Sequence, residues 1–85
     1  MQALTHHITE SKMLIGVPKE IKVHEYRVGM TPASVQEAVL NGHSVLVQSG
    51  AGAGIGCDDA SYISAGATIA DTAADVFATA DMIVK

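Results

Sequence analysis

The sequence predicts an α/β fold in which a parallel β-sheet carries helices on both faces. Three observations support this: short apolar runs alternate with helical segments, their order is β-α-β-α-β-α-β, and the connections span only a few residues. Uninterrupted apolar runs are typical of parallel strands, because both faces of such a sheet are buried. The predicted architecture is Rossmann-like or flavodoxin-like.

The first strand is predicted over Leu14–Val17, because Pro18 closes this apolar run and confines the residue before it to an extended conformation. A helix follows Thr31, whose hydroxyl can accept a hydrogen bond from the first turn. Pro32 suits the first helical position, where its missing N–H would have no partner anyway. Gly42 is expected to end this helix in the left-handed conformation.

The second strand is predicted over Val45–Val47, followed by a glycine-rich loop over Gly50–Gly56. Either Asp58 or Asp59 can cap the short helix that comes next, and Gly66 is expected to close it. Both aspartates stay open as the cap at this point.

The third strand is predicted over Ala67–Ala70, and either Asp71 or Thr72 is expected to cap the third helix. Val76 and Phe77 are predicted to form the inward face of that helix. The sheet should then continue with a fourth strand.

The fourth strand is predicted over Met82–Val84, at an edge of the sheet, and the sequence stops at Lys85 while the pattern is still apolar. An edge strand presents unpaired N–H and C=O groups, so we expect the sheet to lack its continuation. Met30 and Met82 are predicted to fill gaps in the core, since methionine adapts to irregular spaces.

Composition limits the possible functions of the chain. With 85 residues it can form one small domain whose core is marginal on its own. Its net charge of -4 argues against a basic nucleic-acid-binding surface. The single cysteine, Cys57, has no partner for an internal disulfide, which favours a cytoplasmic setting. Asp71, Asp75 and Asp81 interrupt the last apolar stretch, so neither a membrane span nor membrane binding is expected.

Residues 1–12 are polar and show neither a helical nor a strand period, so we interpret them as a disordered tail or the remnant of an expression tag. The domain is then predicted over residues 13–85. His6 and His7 are adjacent in this tail, an arrangement poorly suited to holding one ion, and no metal site is predicted.

Arg27 is the candidate ligand-binding residue. It follows the first predicted strand, in the loop at the carboxyl end of the sheet where open α/β sheets bind ligands. Its guanidinium can donate two parallel hydrogen bonds to a carboxylate. Alternatively, Arg27 pairs with Glu25 or Glu20 at the surface, a contact worth about 0–1 kcal/mol without a functional role. The residues alone leave both interpretations open.

The loop SGAGAGIG lies between a strand and a helix, as a dinucleotide-binding turn would, but its spacing does not fit. From Gly50 the third required glycine would fall at Ile55, and from Gly52 it would fall at Cys57. We therefore predict no cofactor-binding residue in this chain. Cys57 is interpreted as a packed or surface thiol, because no base for a nucleophile is identified.

Four segments together resemble the family of alanine dehydrogenase and the NAD(P) transhydrogenase α-chain: IGVPKEIKVHEYRVGMTP, NGHSVLVQSGAG, SAGA and ADMIVK. The resemblance runs from about Met13 to Lys85. It implies an oxidoreductase that converts L-alanine to pyruvate and ammonia with NAD, in which Arg27 binds the substrate carboxylate. Glu25, two positions before Arg27, could steady its guanidinium. The resemblance also implies that NAD binds a separate domain encoded later.

The resemblance further implies that this chain is an incomplete substrate domain. Family members continue after the position of Lys85 into Val-Lys-Glu-Pro, whose lysine contacts substrate, and they later supply a histidine and an aspartate. No catalytic residue is therefore assigned within this chain. We expect it to be inactive alone and to work with the remainder of a homo-oligomeric enzyme. The alternatives are the N-terminal part of a transhydrogenase α-chain and a stand-alone module that binds small carboxylates or another protein.

Overall fold

The computed structural model describes residues 12–20 and 28–85 of the chain. Residues 1–11 of the predicted tail, and both Arg27 and Glu25, lie outside the described residues. The strands are β1 (Leu14–Val17), β2 (Ser44–Gln48), β3 (Thr68–Ala70) and β4 (Met82–Ile83). The helices are α1 (Pro32–Leu40), α2 (Asp59–Ser64) and α3 (Ala73–Thr79), with a short 3₁₀ turn at Ala53–Ile55.

The strands form one sheet in the order β3-β2-β1-β4, and every neighbouring pair is parallel. β1 pairs with β2 so that Ile15 lies opposite Val45. On its other side β1 pairs with β4, and Ile15 lies opposite Met82. The predicted parallel α/β fold is confirmed, and the carboxyl ends of all these strands meet at one edge of the sheet.

Helices cover both faces of the sheet, as predicted. Side chains alternate along β1, so Ile15 and Val17 point to one face and Gly16 points to the other. On the first face the core contains Val35 of α1 and Tyr62 of α2. On the second face α3 packs so closely on Gly16 that a Cβ added there would lie 2.6 Å from the Ala80 Cβ.

The helix boundaries follow from caps that the sequence already contains. The Thr31 hydroxyl accepts a hydrogen bond from the Ser34 N–H (3.2 Å), as predicted for α1. Of the two aspartates that could cap α2, Asp58 does so. Thr72, and not Asp71, caps α3. These side chains satisfy N–H groups that have no partner within the helix.

Two glycines end helices as predicted. Gly42, with φ 95°, follows α1, and Gly66, with φ 108°, follows α2. A side chain is strained in this left-handed region, whereas glycine adopts it freely. Among the described residues no helix is both long enough and apolar enough to cross a membrane.

Two core predictions were wrong. Phe77 is 52% exposed, because α3 contacts the sheet through Val76 and Ala80, and Phe77 lies about 100° further around the helix. Met82 is 40% exposed, because it lies on β4, which has no neighbouring strand on its outer side among the described residues. Met30, in contrast, packs against the core as predicted.

Replacing Gly16 with alanine should destabilise the fold, because the new Cβ would lie 2.7 Å from the Val76 Cγ1 and 2.6 Å from the Ala80 Cβ. We expect Gly16→Ala to lower the free energy of unfolding by about 1–3 kcal/mol in denaturant titrations. In the Val76→Ala background the same change should lower the free energy of unfolding by less, since the clash with the Val76 Cγ1 is removed. An equal loss of unfolding free energy in both backgrounds would contradict this account of the packing.

Candidate functional site

The strand order creates a crevice at the carboxyl edge of the sheet. The chain runs from β1 outward through β2 to β3 and then returns to the other side of β1 as β4. The point between β1 and β4, where the order reverses, is the topological switch point, and open α/β sheets bind their ligands there. The fold therefore places the candidate site beyond the ends of β1 and β4.

Residues Val28–Met30 pass over the end of β4, and we call them the strap. A Cβ added to Gly29 would lie 2.6 Å from the Val84 carbonyl carbon and 2.9 Å from the Lys85 Cα. Val84 in turn donates its N–H to the Gly16 carbonyl (2.9 Å), which extends the pairing of β1 and β4. Only glycine allows the strap to approach the switch point this closely.

Tyr62 of α2 holds the strap from the core side. Its side chain is 0% exposed, and its hydroxyl donates a hydrogen bond to the Met30 carbonyl (2.8 Å). Burial raises the pKa of the Tyr62 phenol above its ordinary value of 10.0, and the nearby Cys57 adds to the shift. The phenol therefore remains protonated, and it stays a donor, throughout the neutral pH range.

The glycine-rich loop is closed largely by its own backbone. Gly50 adopts φ 81°, and Asp59 accepts hydrogen bonds from the Gly50 N–H (2.9 Å) and the Ser49 hydroxyl (2.7 Å). Within the loop, the N–H groups of Ala53, Ile55, Gly56 and Cys57 donate hydrogen bonds to the carbonyls of Gly50, Gly52 and Ala53. The loop is thus a compact turn. That it contains no cofactor-binding residue stays a prediction.

A shallow cleft of about 530 Å³ opens beside this loop, between Ser49 and Ala60. Cys57, a half-buried free thiol, lines it and also packs against the core. Within residues 12–20 and 28–85, no cluster of three or more His, Cys, Asp or Glu side chains is arranged to hold a metal ion.

Lys19 lies at the end of β1, next to the glycine-rich loop. Its backbone N–H donates a hydrogen bond to the Gln48 side-chain oxygen (2.7 Å). Its ammonium nitrogen lies 3.6 Å from the position that a Cβ on Gly50 would occupy. The Lys85 ammonium is 5.9 Å from the centre of the Phe77 ring. These contacts draw Lys19 toward β2 and Lys85 toward α3.

The comparisons with known proteins give the family. A sequence model of the family described as "Alanine dehydrogenase/PNT, N-terminal domain" matches residues 16–85. The chain belongs to this family. An alanine dehydrogenase of Methanococcus maripaludis is 56% identical over 73 residues, which cover 86% of this chain and 20% of that protein. The alanine dehydrogenase of Bacillus subtilis is 49% identical over 73 residues, covering 86% of this chain and 19% of that protein.

Solved structures of the same family also match this chain. An L-alanine dehydrogenase matches with a TM-score of 0.82 and 46% identity, covering 86% of this chain and 20% of that structure. A transhydrogenase from Sinorhizobium meliloti matches with a TM-score of 0.76 and 37% identity, covering 82% of this chain and 20% of that structure. The chain therefore spans about a fifth of the length of these members of the alanine dehydrogenase family, and the resemblance in its sequence is confirmed.

For this member of the family, the sequence analysis named two site residues that stay predictions and missed two others that the structure shows. The predicted site residues, Arg27 and Glu25, are outside the described residues, and the nearest described residue is Val28. Tyr62 and Gly29, which fix the strap that begins with Val28, were missed. A signal for Tyr62 existed: the chain is only 4% aromatic, and a buried tyrosine hydroxyl usually needs a partner.

Acid should weaken the glycine-rich loop of this family member. Hydrogen bonds from the Gly50 N–H and then the Ser49 hydroxyl lower the pKa of Asp59 below its ordinary value of 3.8. Because the folded-state pKa is depressed, the stabilisation is present above pH 3.8 and is lost as the pH falls through the folded pKa. The melting temperature should therefore start to fall as the pH drops below about 4, and it should keep falling toward the folded pKa of Asp59.

The matched variant is Asp59→Asn, which has no charge to lose and keeps a side-chain oxygen for the Gly50 N–H. Its melting temperature should fall less over the same pH range. Asp58 keeps its hydrogen bonds to Ser61 in both proteins, and its pKa loses only the smaller upward effect of the Asp59 charge. The same fall in the variant and the parent would contradict the role given to the Asp59 carboxylate.

Proposed function

We propose that this chain forms the substrate-carboxylate-binding part of an alanine dehydrogenase, an enzyme that oxidises L-alanine to pyruvate and ammonia with NAD. The observation that carries the proposal is the position of the strap, which crosses the end of β4 at the topological switch point. The identity of 56% to an alanine dehydrogenase over 73 residues supports the choice of enzyme.

Arg27 is the proposed carboxylate clamp. It is bonded directly to Val28, the first residue of the strap, and consecutive Cα atoms are about 3.8 Å apart. This link supports a role for Arg27 at the crevice. A guanidinium binds a carboxylate through two parallel hydrogen bonds, which fix the orientation of a small acid as well as its position. Glu25, two positions earlier, is the proposed support for the guanidinium.

The remaining steps of the reaction are assigned to other parts of the protein. Lys85 is directed toward the Phe77 ring, which supports giving it no catalytic role. When bound, NAD accepts the hydride, and we propose that a separate domain binds it. The groups that transfer protons are likewise proposed to lie outside this chain, in a cytoplasmic homo-oligomer.

A second candidate is the N-terminal part of a transhydrogenase α-chain, which takes part in hydride transfer between two nicotinamides. The match to the Sinorhizobium meliloti transhydrogenase supports it, with a TM-score of 0.76 and 37% identity. The L-alanine dehydrogenase match is higher on both measures, at 0.82 and 46%. We therefore favour the dehydrogenase.

A chimera tests the proposed function. The matched 73-residue segment of this chain replaces its counterpart in the Methanococcus maripaludis alanine dehydrogenase, and alanine-dependent NAD reduction and the reverse reaction with pyruvate are measured. Arg27→Lys should raise the KM for pyruvate about 10- to 100-fold, because lysine cannot reproduce the two-pronged charged contact. Its melting temperature should match that of the parent chimera.

The matched control is Lys19→Arg, a change between the same two residue types at the exposed end of β1. It should leave the KM for pyruvate within about twofold, since the Lys19 ammonium lies beside Gly50. An unchanged KM in Arg27→Lys, or a parent chimera without activity, would refute the proposed function.

The isolated 85-residue chain should not reduce NAD in the presence of L-alanine, because the proposed cofactor domain and proton-transfer groups are elsewhere. The measurement is NADH absorbance at high protein concentration, with the parent chimera as the positive control. NADH formation that requires both alanine and the chain would contradict the proposed division of roles.

A further inference from the structure

We propose that Tyr62 is a positioning residue for the substrate carboxylate, because its hydroxyl fixes the strap that follows Arg27 directly in the chain. This inference rests on the proposed function of Arg27. It assigns a role in substrate binding to a buried side chain of α2 that has no direct access to the crevice.

The first argument is how the strap is held. Gly29 lies against the backbone of Val84 and Lys85, and Thr31, just after the strap, caps α1 through the Ser34 N–H. Between these two attachments, the Tyr62 hydroxyl holds the Met30 carbonyl at 2.8 Å. Loss of that bond would free the Met30 end of the strap, while the attachments at Gly29 and Thr31 remain.

The second argument is that the fold encloses the hydroxyl as well as the ring. A Cβ added to Gly52 would lie 2.6 Å from the Tyr62 Cε2 and 2.8 Å from its hydroxyl oxygen. The glycine-rich loop thus forms one wall of the Tyr62 site, with no space for a side chain. This gives a role to a motif whose spacing does not fit a dinucleotide.

The third argument comes from the cost of burying a hydroxyl. A phenylalanine would fill the same space without a polar atom, and a buried hydroxyl is unfavourable unless it has a partner. In this fold the partner is a carbonyl of the strap rather than a group within α2. The hydroxyl therefore links the core to the strap at the candidate site. A residue that only filled the core would not need this hydroxyl.

The test uses the same chimera and four sequences: the parent, Tyr62→Phe, Arg27→Lys and the double variant. Tyr62→Phe keeps the ring and removes the hydrogen bond. We expect it to raise the KM for pyruvate about three- to tenfold with kcat within about twofold, because a neutral hydrogen bond is lost from substrate positioning. In the Arg27→Lys background the same change should raise the KM by less than about twofold, since Tyr62 acts through Arg27.

The matched control is Val76→Ala, which removes fully buried side-chain volume on the opposite face of the sheet. It should lower the melting temperature without changing the KM for pyruvate. If Tyr62→Phe leaves the KM at the parent value, or raises it equally in both backgrounds, the inference is overturned while the proposed function stands. If Arg27→Lys itself has no effect, the proposed function falls first, so the two failures are distinguishable.

A second variant keeps the test decisive if Tyr62→Phe fails to fold. Gly29→Ala displaces the strap from the side of Val84 and leaves Tyr62 unchanged. It should also raise the KM for pyruvate in the parent and have little effect in the Arg27→Lys background. An unchanged KM in folded Gly29→Ala would overturn the claim that the strap sets the position of the clamp.

Discussion

The pairing of β1 with a parallel strand on each side is the constraint on which the rest of this structure depends. Because β2 and β4 both run parallel to β1, their carboxyl ends meet at one edge, and the order reverses between β1 and β4. The crevice is a consequence of this topology and requires no special residue. The closeness of α3 to Gly16 keeps the second face of the same strand covered.

One buried tyrosine connects three separate segments of the chain. Tyr62 belongs to α2, its ring fills the space beside Gly52, and its hydroxyl binds the Met30 carbonyl. The large buried side chains around it are mainly valines, which supply apolar area but no directional contact. In a core of this kind a single hydrogen bond has a large influence on where a neighbouring loop lies.

Local signals predicted most of the fold. The strand over Leu14–Val17, the Thr31 cap and the glycine after α1 each depend on contacts within a few residues, so their sequence patterns were sufficient. Phe77 and Met82 were predicted wrongly because their burial depends on which neighbours lie across the sheet and at its edge. The strap contacts of Gly29 and Tyr62 join residues that are distant in the chain, and no local pattern specifies them.

The sequence by itself determined the alternation of strands and helices, the Thr31 cap of α1 and the family to which the chain belongs. These follow from residue periodicity, from short-range hydrogen bonds and from similarity that persists along the chain. Only the tertiary structure decided that Asp59 binds Ser49 and Gly50 and leaves the α2 cap to Asp58, which side chains of α3 are buried, and that Tyr62 holds the strap. Those outcomes depend on distances between atoms that the linear order of residues does not fix, because packing alone brings them together.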